Sequence, residues 1–168
     1  MLCSVLVLLA ATGASAQVTP LVRNDIYTDV GKLQKAGKLA EAEAVADKYL
    51  ADHPRDPQMR YLKGVIQRDS GRLPEALETF TRLTEDYPEL PEPYNSVAVI
   101  EASLGHLDKA RAALEGALHA NPAYATAHEN LGDVYFRLAS QSYCKSVQYA
   151  PGNTELKRQL QSRGIACP

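Results

Sequence analysis

The 168-residue chain has no basic excess: 18 lysines and arginines stand against 20 aspartates and glutamates, a formal net charge of -2. That balance excludes a nucleic-acid binder driven by phosphate neutralisation. Blocks of like charge are missing as well, so there is no acidic or basic tail. No histidine or cysteine pair has HxxxH or CxxC spacing, and no metal site is expected. Also missing are a glycine-rich phosphate loop, a serine in a nucleophile elbow, and any histidine close in sequence to Cys144. The four histidines, at 53, 106, 119 and 128, are scattered, and each is expected to be solvated. Carboxylate pairs such as Glu41/Glu43 and Glu85/Asp86 have the spacing of surface helix positions, not of an acid–base couple. Neither catalysis nor a cofactor is expected.

Charge is missing altogether from the first sixteen residues, MLCSVLVLLAATGASA. The apolar run from Val5 to Ala11 is too short for a bilayer core of about 30 Å, which takes roughly 20 residues. Ala14-Ser15-Ala16 has the small-x-small pattern of a signal-peptidase site, although the usual positive n-region is missing. The expectation is a signal peptide over 1–16, then a leader over 17–22 in which Pro20 discourages helix. No membrane span is then expected in the mature chain. Cys3 has only two residues before it, too few for a lipoprotein signal. Cys144 and Cys167 remain, and two cysteines in an exported protein can pair. The reading preferred on sequence leaves Cys144 as a small half-buried helix residue and Cys167 loose near the terminus.

What is present is a period. Gly37, Leu39, Ala42 and Pro54 recur 34 residues on as Gly71, Leu73, Ala76 and Pro88, and again as Gly105, Leu107, Ala110 and Pro122. A repeat of this length has to be read before any single residue. Val30, Gly64 and Ala98 are small enough for two helices to approach. The following glycine ends the first helix of each unit in the left-handed conformation. The recurring alanine keeps the second helix narrow where it crosses the first, and proline ends the unit.

Three units follow: 23–56, 57–90 and 91–124. In the first, helices are expected over about 24–36 and 40–52. The second has the apolar stripe Met59, Leu62, Ile66, with Pro74 in the first turn of its second helix and Phe80 filling the gap between helices. The third pairs a face of Val97, Ala98, Ile100 and Leu104 with one of Leu107, Ala110, Ala113, Leu114 and Ala117. The fourth unit, 125–151, is five residues short: Pro151 follows Pro122 by 29, and neither glycine nor proline occurs between 133 and 150. One long helix over about 126–149 is expected. A short capping helix should begin near Asn153 or Thr154, within a final segment 152–168.

These landmarks resemble the tetratricopeptide repeat over most of the mature chain, roughly Arg23 to Pro151. The resemblance implies an all-α fold, a right-handed superhelical solenoid of antiparallel helix pairs, whose first helices line a concave groove. Carried over by register, the groove places fall on Asn24, Tyr27, Gln34 and Lys35, then Gln58, Tyr61, Val65, Arg68 and Asp69. They continue with Glu92, Asn95, Val99, Ala102 and Ser103, and end with Glu129, Asp133, Phe136 and Arg137. The function implied is non-catalytic protein–protein interaction, with a peptide or partner protein in the groove. The segment 128–143 is similar to short exported bacterial proteins of this family, which implies a periplasmic or secreted adaptor of the cell envelope. Family members that clamp a C-terminal carboxylate use lysine and asparagine where Tyr27 and Gly31 stand here, so that variant is not expected. Self-association through the long fourth-unit helix, giving a homo-oligomer, is the alternative.

Overall fold

The computed structural model describes residues 24–167. The expected signal peptide and leader lie outside the described residues. Among the described residues eight helices follow in order: α1 (Asn24–Lys35), α2 (Leu39–Asp52), α3 (Pro57–Asp69), α4 (Leu73–Asp86), α5 (Pro91–Ser103), α6 (Leu107–Ala120), α7 (Ala125–Tyr149) and α8 (Thr154–Ser162). There is no strand among the described residues.

The hairpins α1/α2, α3/α4 and α5/α6 share one turn chemistry. Gly37, Gly71 and Gly105 take φ of 73°, 76° and 82°, where a side chain would strain the backbone. Behind each glycine, the next N–H reaches back to close the helix: Lys38 to Leu33, Arg72 to Gln67 and His106 to Glu101, each at 2.9 Å. Entry is by proline at the first turn of α3, α4 and α5. Asp56 caps α3, its side chain accepting from the Met59 N–H at 2.9 Å.

The core runs as three clusters along the stack. Val30, Ala42, Ala46, Met59 and Ile66 join α1, α2 and α3. Val65, Ala76, Phe80, Leu83 and Ile100 join α3, α4 and α5. Ala98, Leu107, Ala110, Leu114, Ala117, Ala127 and Val134 join α5, α6 and α7. Two aromatic rings seat on helical glycines. A Cβ at Gly64 would come within 2.7 Å of the Phe80 ring, and one at Gly116 within 2.7 Å of the Tyr94 ring. Full burial of Phe80 is worth roughly 1.5–3 kcal/mol, and glycine makes the room for it. Leu104, expected on the apolar face of α5, is instead 48% exposed, because it caps the helix beyond the reach of α6.

α7 runs unbroken for 25 residues, about 38 Å, where the sequence lacks a turn. α8 folds back beside its far end, capped by Asn153 and anchored by Leu160, which is 2% exposed. The cysteine reading is corrected here. Cys144 of α7 and Cys167 of the tail form a disulfide, with Cα atoms 5.2 Å apart. The tail is not loose, because the bend after Gly164 returns it to α7, and Arg163 lies 5.9 Å over the Tyr143 ring. Among the described residues no helix is long and apolar enough to cross a membrane.

Candidate partner-binding groove

The odd-numbered helices lie side by side, and polar bonds stitch them at one recurring separation. Gln34 donates to Asp69 at 2.7 Å, Tyr61 and Ser96 hydroxyls meet at 3.2 Å, Asn130 donates to Asn95 at 2.7 Å, and Arg137 donates to the Ala102 carbonyl at 2.9 Å. Each pair is 35 residues apart, one repeat plus one residue. The groove floor is thus a ladder, each rung joining one place to the residue just past its equivalent on the next first helix.

At the N-terminal end this ladder uses most of the polar groups. Arg68 grips the neighbouring Asp69 through Nε at 3.1 Å and Nη2 at 2.8 Å, and the same aspartate receives Gln34. Tyr61 is half-buried with its ring 5.4 Å from Phe80, and Val65 is 9% exposed. Tyr27 turns toward the loop between the first two repeats. Its hydroxyl donates to Asp56 at 2.5 Å and its ring stands edge-on to Tyr49 at 5.8 Å. The Asp56 bond, with that of Tyr49 and with burial, pushes the Tyr27 phenol well above its ordinary pKa. Burial pushes the Asp56 carboxyl up, but hydrogen bonds from Tyr27, the Met59 N–H and Tyr49 outweigh it and hold the pKa below the usual value.

Toward the C-terminal end the groove opens. An open hollow of about 420 Å³ lies between α5 and α7, lined by Val99, Ala102, Asn130, Asp133, Phe136 and Arg137 among others. Val99 is 40% and Phe136 57% exposed, high values for apolar side chains. Asp133 and Glu129 are exposed and have neither a hydrogen bond nor an ion pair among the described residues. A larger hollow of about 640 Å³ is the seat of the tail itself, between Val147, α8 and Cys167. It lies away from the groove.

The structure therefore brings Asn95, Val99, Asp133, Phe136 and Arg137 together, with Glu129 one turn away. Gln34, Tyr61, Val65 and Arg68 lie farther along, and Tyr27 is set apart. Asn130, Ser96 and the floor residue Val134 were not among the groove places carried over by register, and Ala98 was read only as a helix-contact residue. For Asn130 and Ser96 the signal was available: polar residues one repeat plus one beyond Asn95 and Tyr61.

Three of the four histidines are not simply solvated: a ring nitrogen of His53 lies 3.1 Å from the Tyr49 carbonyl with the two rings stacked at 4.3 Å, Nε2 of His128 lies 2.9 Å from the Pro122 carbonyl, and His106 meets a carboxylate. Nδ1 of His106 lies 2.6 Å from Oε2 of Glu101, whose side chain is 8% exposed. Gln67, at the same place one repeat earlier, likewise bonds across its hairpin, accepting from Thr79 at 2.8 Å. The His106–Glu101 pair ties the end of α5 to the turn before α6 in a similar way.

Antiparallel helix pairs in a fixed 34-residue register, stacked around a groove, define a helical-repeat solenoid. The tetratricopeptide-repeat pattern matches residues 33–91 and 98–140, and the chain belongs to that family. Its fold is generally a protein-interaction scaffold. Three solved structures illustrate the likeness. A thermophilic repeat protein of Thermus thermophilus aligns with a TM-score of 0.62 and 20% identity, over 85% of this chain and 99% of that one. The first repeat domain of Spaghetti (RPAP3), bound to the HSP90 peptide SRMEEVD, gives 0.62 and 18%, over 69% and 92%. The type III secretion translocator chaperone SycD of Yersinia enterocolitica gives 0.63 and 14%, over 68% and 92%. No curated protein shows significant sequence similarity to the chain.

Proposed function

We propose that the chain is a non-catalytic adaptor of the cell envelope that seats a peptide or a segment of a partner protein in its concave groove, principally at the α5–α7 hollow. The observation that carries this reading is the pair Val99 and Phe136, apolar side chains left open in a concavity between two first helices. Around them Asn95, Asn130 and Arg137 offer polar groups for a backbone. That mixture of apolar anchor site and polar rim suits an extended peptide. Spaghetti (RPAP3) was solved with a peptide and SycD is a chaperone, which supports the class of partner but not its identity. The periplasmic or secreted location rests on the charge-free first sixteen residues, and the Cys144–Cys167 disulfide suits an oxidising compartment. The test is affinity capture from periplasmic extract by the full chain and by a Val99→Ala/Phe136→Ala variant. Loss of the specific partner by the variant is expected; retention of every partner overturns the groove. Recovery of the native protein only from the cytosolic fraction overturns the location.

A second reading is favoured by α7. Gly132 stands at the place of Gly64 and Ala98, yet nothing approaches within 4 Å of a Cβ built on it. Tyr135, one turn on, is 49% exposed. The second helix that would cover this face in a full repeat is missing, and an α7 from a second copy could supply ring and notch reciprocally. Mass measured against concentration separates a dimer from a monomeric adaptor.

A further inference from the structure

We infer that the segment seated in the α5–α7 hollow is basic, with lysine or arginine flanking an apolar anchor. This rests on the groove reading above and adds the chemistry of the partner. The hollow itself is apolar at Val99, Ala102 and Phe136. Its rim is acidic. Glu129 and Asp133 are exposed four residues apart on α7, so they repel each other. Glu92 is exposed in the first turn of α5, about two turns before Val99. No ion pair compensates any of the three among the described residues. α5 contains no lysine or arginine. The cation in the hollow is Arg137, and its guanidinium donates to the Ala102 carbonyl at the end of α5.

The other end of the groove shows what compensation looks like. There Asp69 is held by both Arg68 and Gln34, and the ladder leaves no uncompensated carboxylate among the described groove places. The carboxylates around the hollow thus stand unneutralised beside its open apolar surface. A cationic segment would relieve the repulsion between Glu129 and Asp133 while its apolar residue entered between Val99 and Phe136. An acidic segment would meet Glu129 and Asp133 against the single cation Arg137. Complementarity of this kind sets specificity and association rate more than total affinity.

The experiment is fluorescence anisotropy on the full chain with three labelled synthetic peptides: a leucine pair flanked by lysines, the same pair flanked by serines, and the same pair flanked by glutamates. The lysine peptide is expected to bind about ten-fold or more tighter than the glutamate peptide at low salt, with the gap narrowing as ionic strength rises. A Glu129→Lys/Asp133→Lys variant, altered only at exposed positions, should invert that order. Phe136→Ala should weaken the lysine and serine peptides alike. Equal binding of all three peptides, still weakened by Phe136→Ala, overturns the basic preference and leaves the groove standing. Lysine-peptide binding that ignores Phe136→Ala overturns the groove reading and this inference with it. A preference for the glutamate peptide, or no binding by the lysine peptide, overturns this inference. Circular dichroism of each variant establishes that it is folded.

Discussion

The first two repeats and the remainder of the molecule differ in how they leave their surfaces. Between α1 and α4, polar side chains bond to one another across helices. Tyr27 and Tyr49 meet on Asp56, Arg60 reaches Asp86 at 2.6 Å, Lys63 reaches Asp47 at 2.6 Å, Arg72 pairs with Glu43, and Tyr87 donates to the Arg55 carbonyl. Beyond α4 such bonds persist between Asn130 and Asn95 and from Arg137 to Ala102, but large apolar side chains also stand open. The exposed large apolar residues among those described are Val99, Leu104, Tyr135, Phe136 and Tyr149, all in the second half. Exposed ion pairs contribute little stability each, so the contrast is less about strength than about what is left open. Similar helical hairpins produce a closed half and an open half. On the α7 face that carries Gly132 and Tyr135, the opening follows from the shortened fourth unit, which leaves α7 without the second helix that would fold against it.

The largest effect that sharpens the contrast is expected at the disulfide. Cys144 and Cys167 are 23 residues apart in sequence, and closing a loop of that size is worth about 3 kcal/mol in a chain-entropy account. Reduction, or Cys167→Ser, should therefore release α8 and the tail, read as faster amide exchange there, while α1–α6 keep their protection. Equal loss of protection throughout would break the division into halves. Next comes Gly64→Ala. Its methyl would enter at 2.7 Å from the Phe80 ring in a closed core, an overpacking that costs about 1–3 kcal/mol by urea unfolding.

Asp56→Ala removes a helix cap and the acceptor of two tyrosines, and should cost about 1–2 kcal/mol. Because the Asp56 pKa is lower folded than unfolded, its contribution is full above the ordinary carboxylate value of about 4 and fades as pH falls below it. Tyr27, raised in the fold, has the opposite sign: its contribution is full below the ordinary phenol value of about 10 and fades as pH rises beyond that. The deficit of the Asp56→Ala variant should accordingly shrink in acid. Unfolding curves at neutral pH and near pH 3 check this, and a constant deficit would deny the carboxylate its role.

Much of this fold could be read in advance because it is written locally. Gly37, Gly71 and Gly105 sit where positive φ is needed, and a glycine needs no distant partner to signal a turn. The long α7 was legible from a missing turn. The site was less legible. Register places Tyr27 and Phe136 at groove positions, but it does not say that Asp56 engages one and that nothing covers the other. The Cys144–Cys167 bond depends on how a tail returns, which spacing alone does not set. The same holds for Leu104: whether its helix face is covered depends on where the neighbouring helix begins.

The smallest expected effect is the most pointed, because it tests one repeat place in both halves. Val30 is fully buried, Gly64 is buried, Ala98 is 1% exposed, and Gly132 is exposed with open space around it. Alanine at 132 meets no neighbour and improves helix propensity, so Gly132→Ala should stabilise by up to about 1 kcal/mol, opposite in sign to Gly64→Ala. Thermal unfolding of the two variants in parallel makes the comparison. If Gly132 instead receives the Tyr135 ring of a second copy, the same substitution should lower the dimer fraction at high concentration even as the monomer melts higher. A destabilised monomer would mean that the α7 face is covered within the chain, and the open half would then be no more open than the closed one.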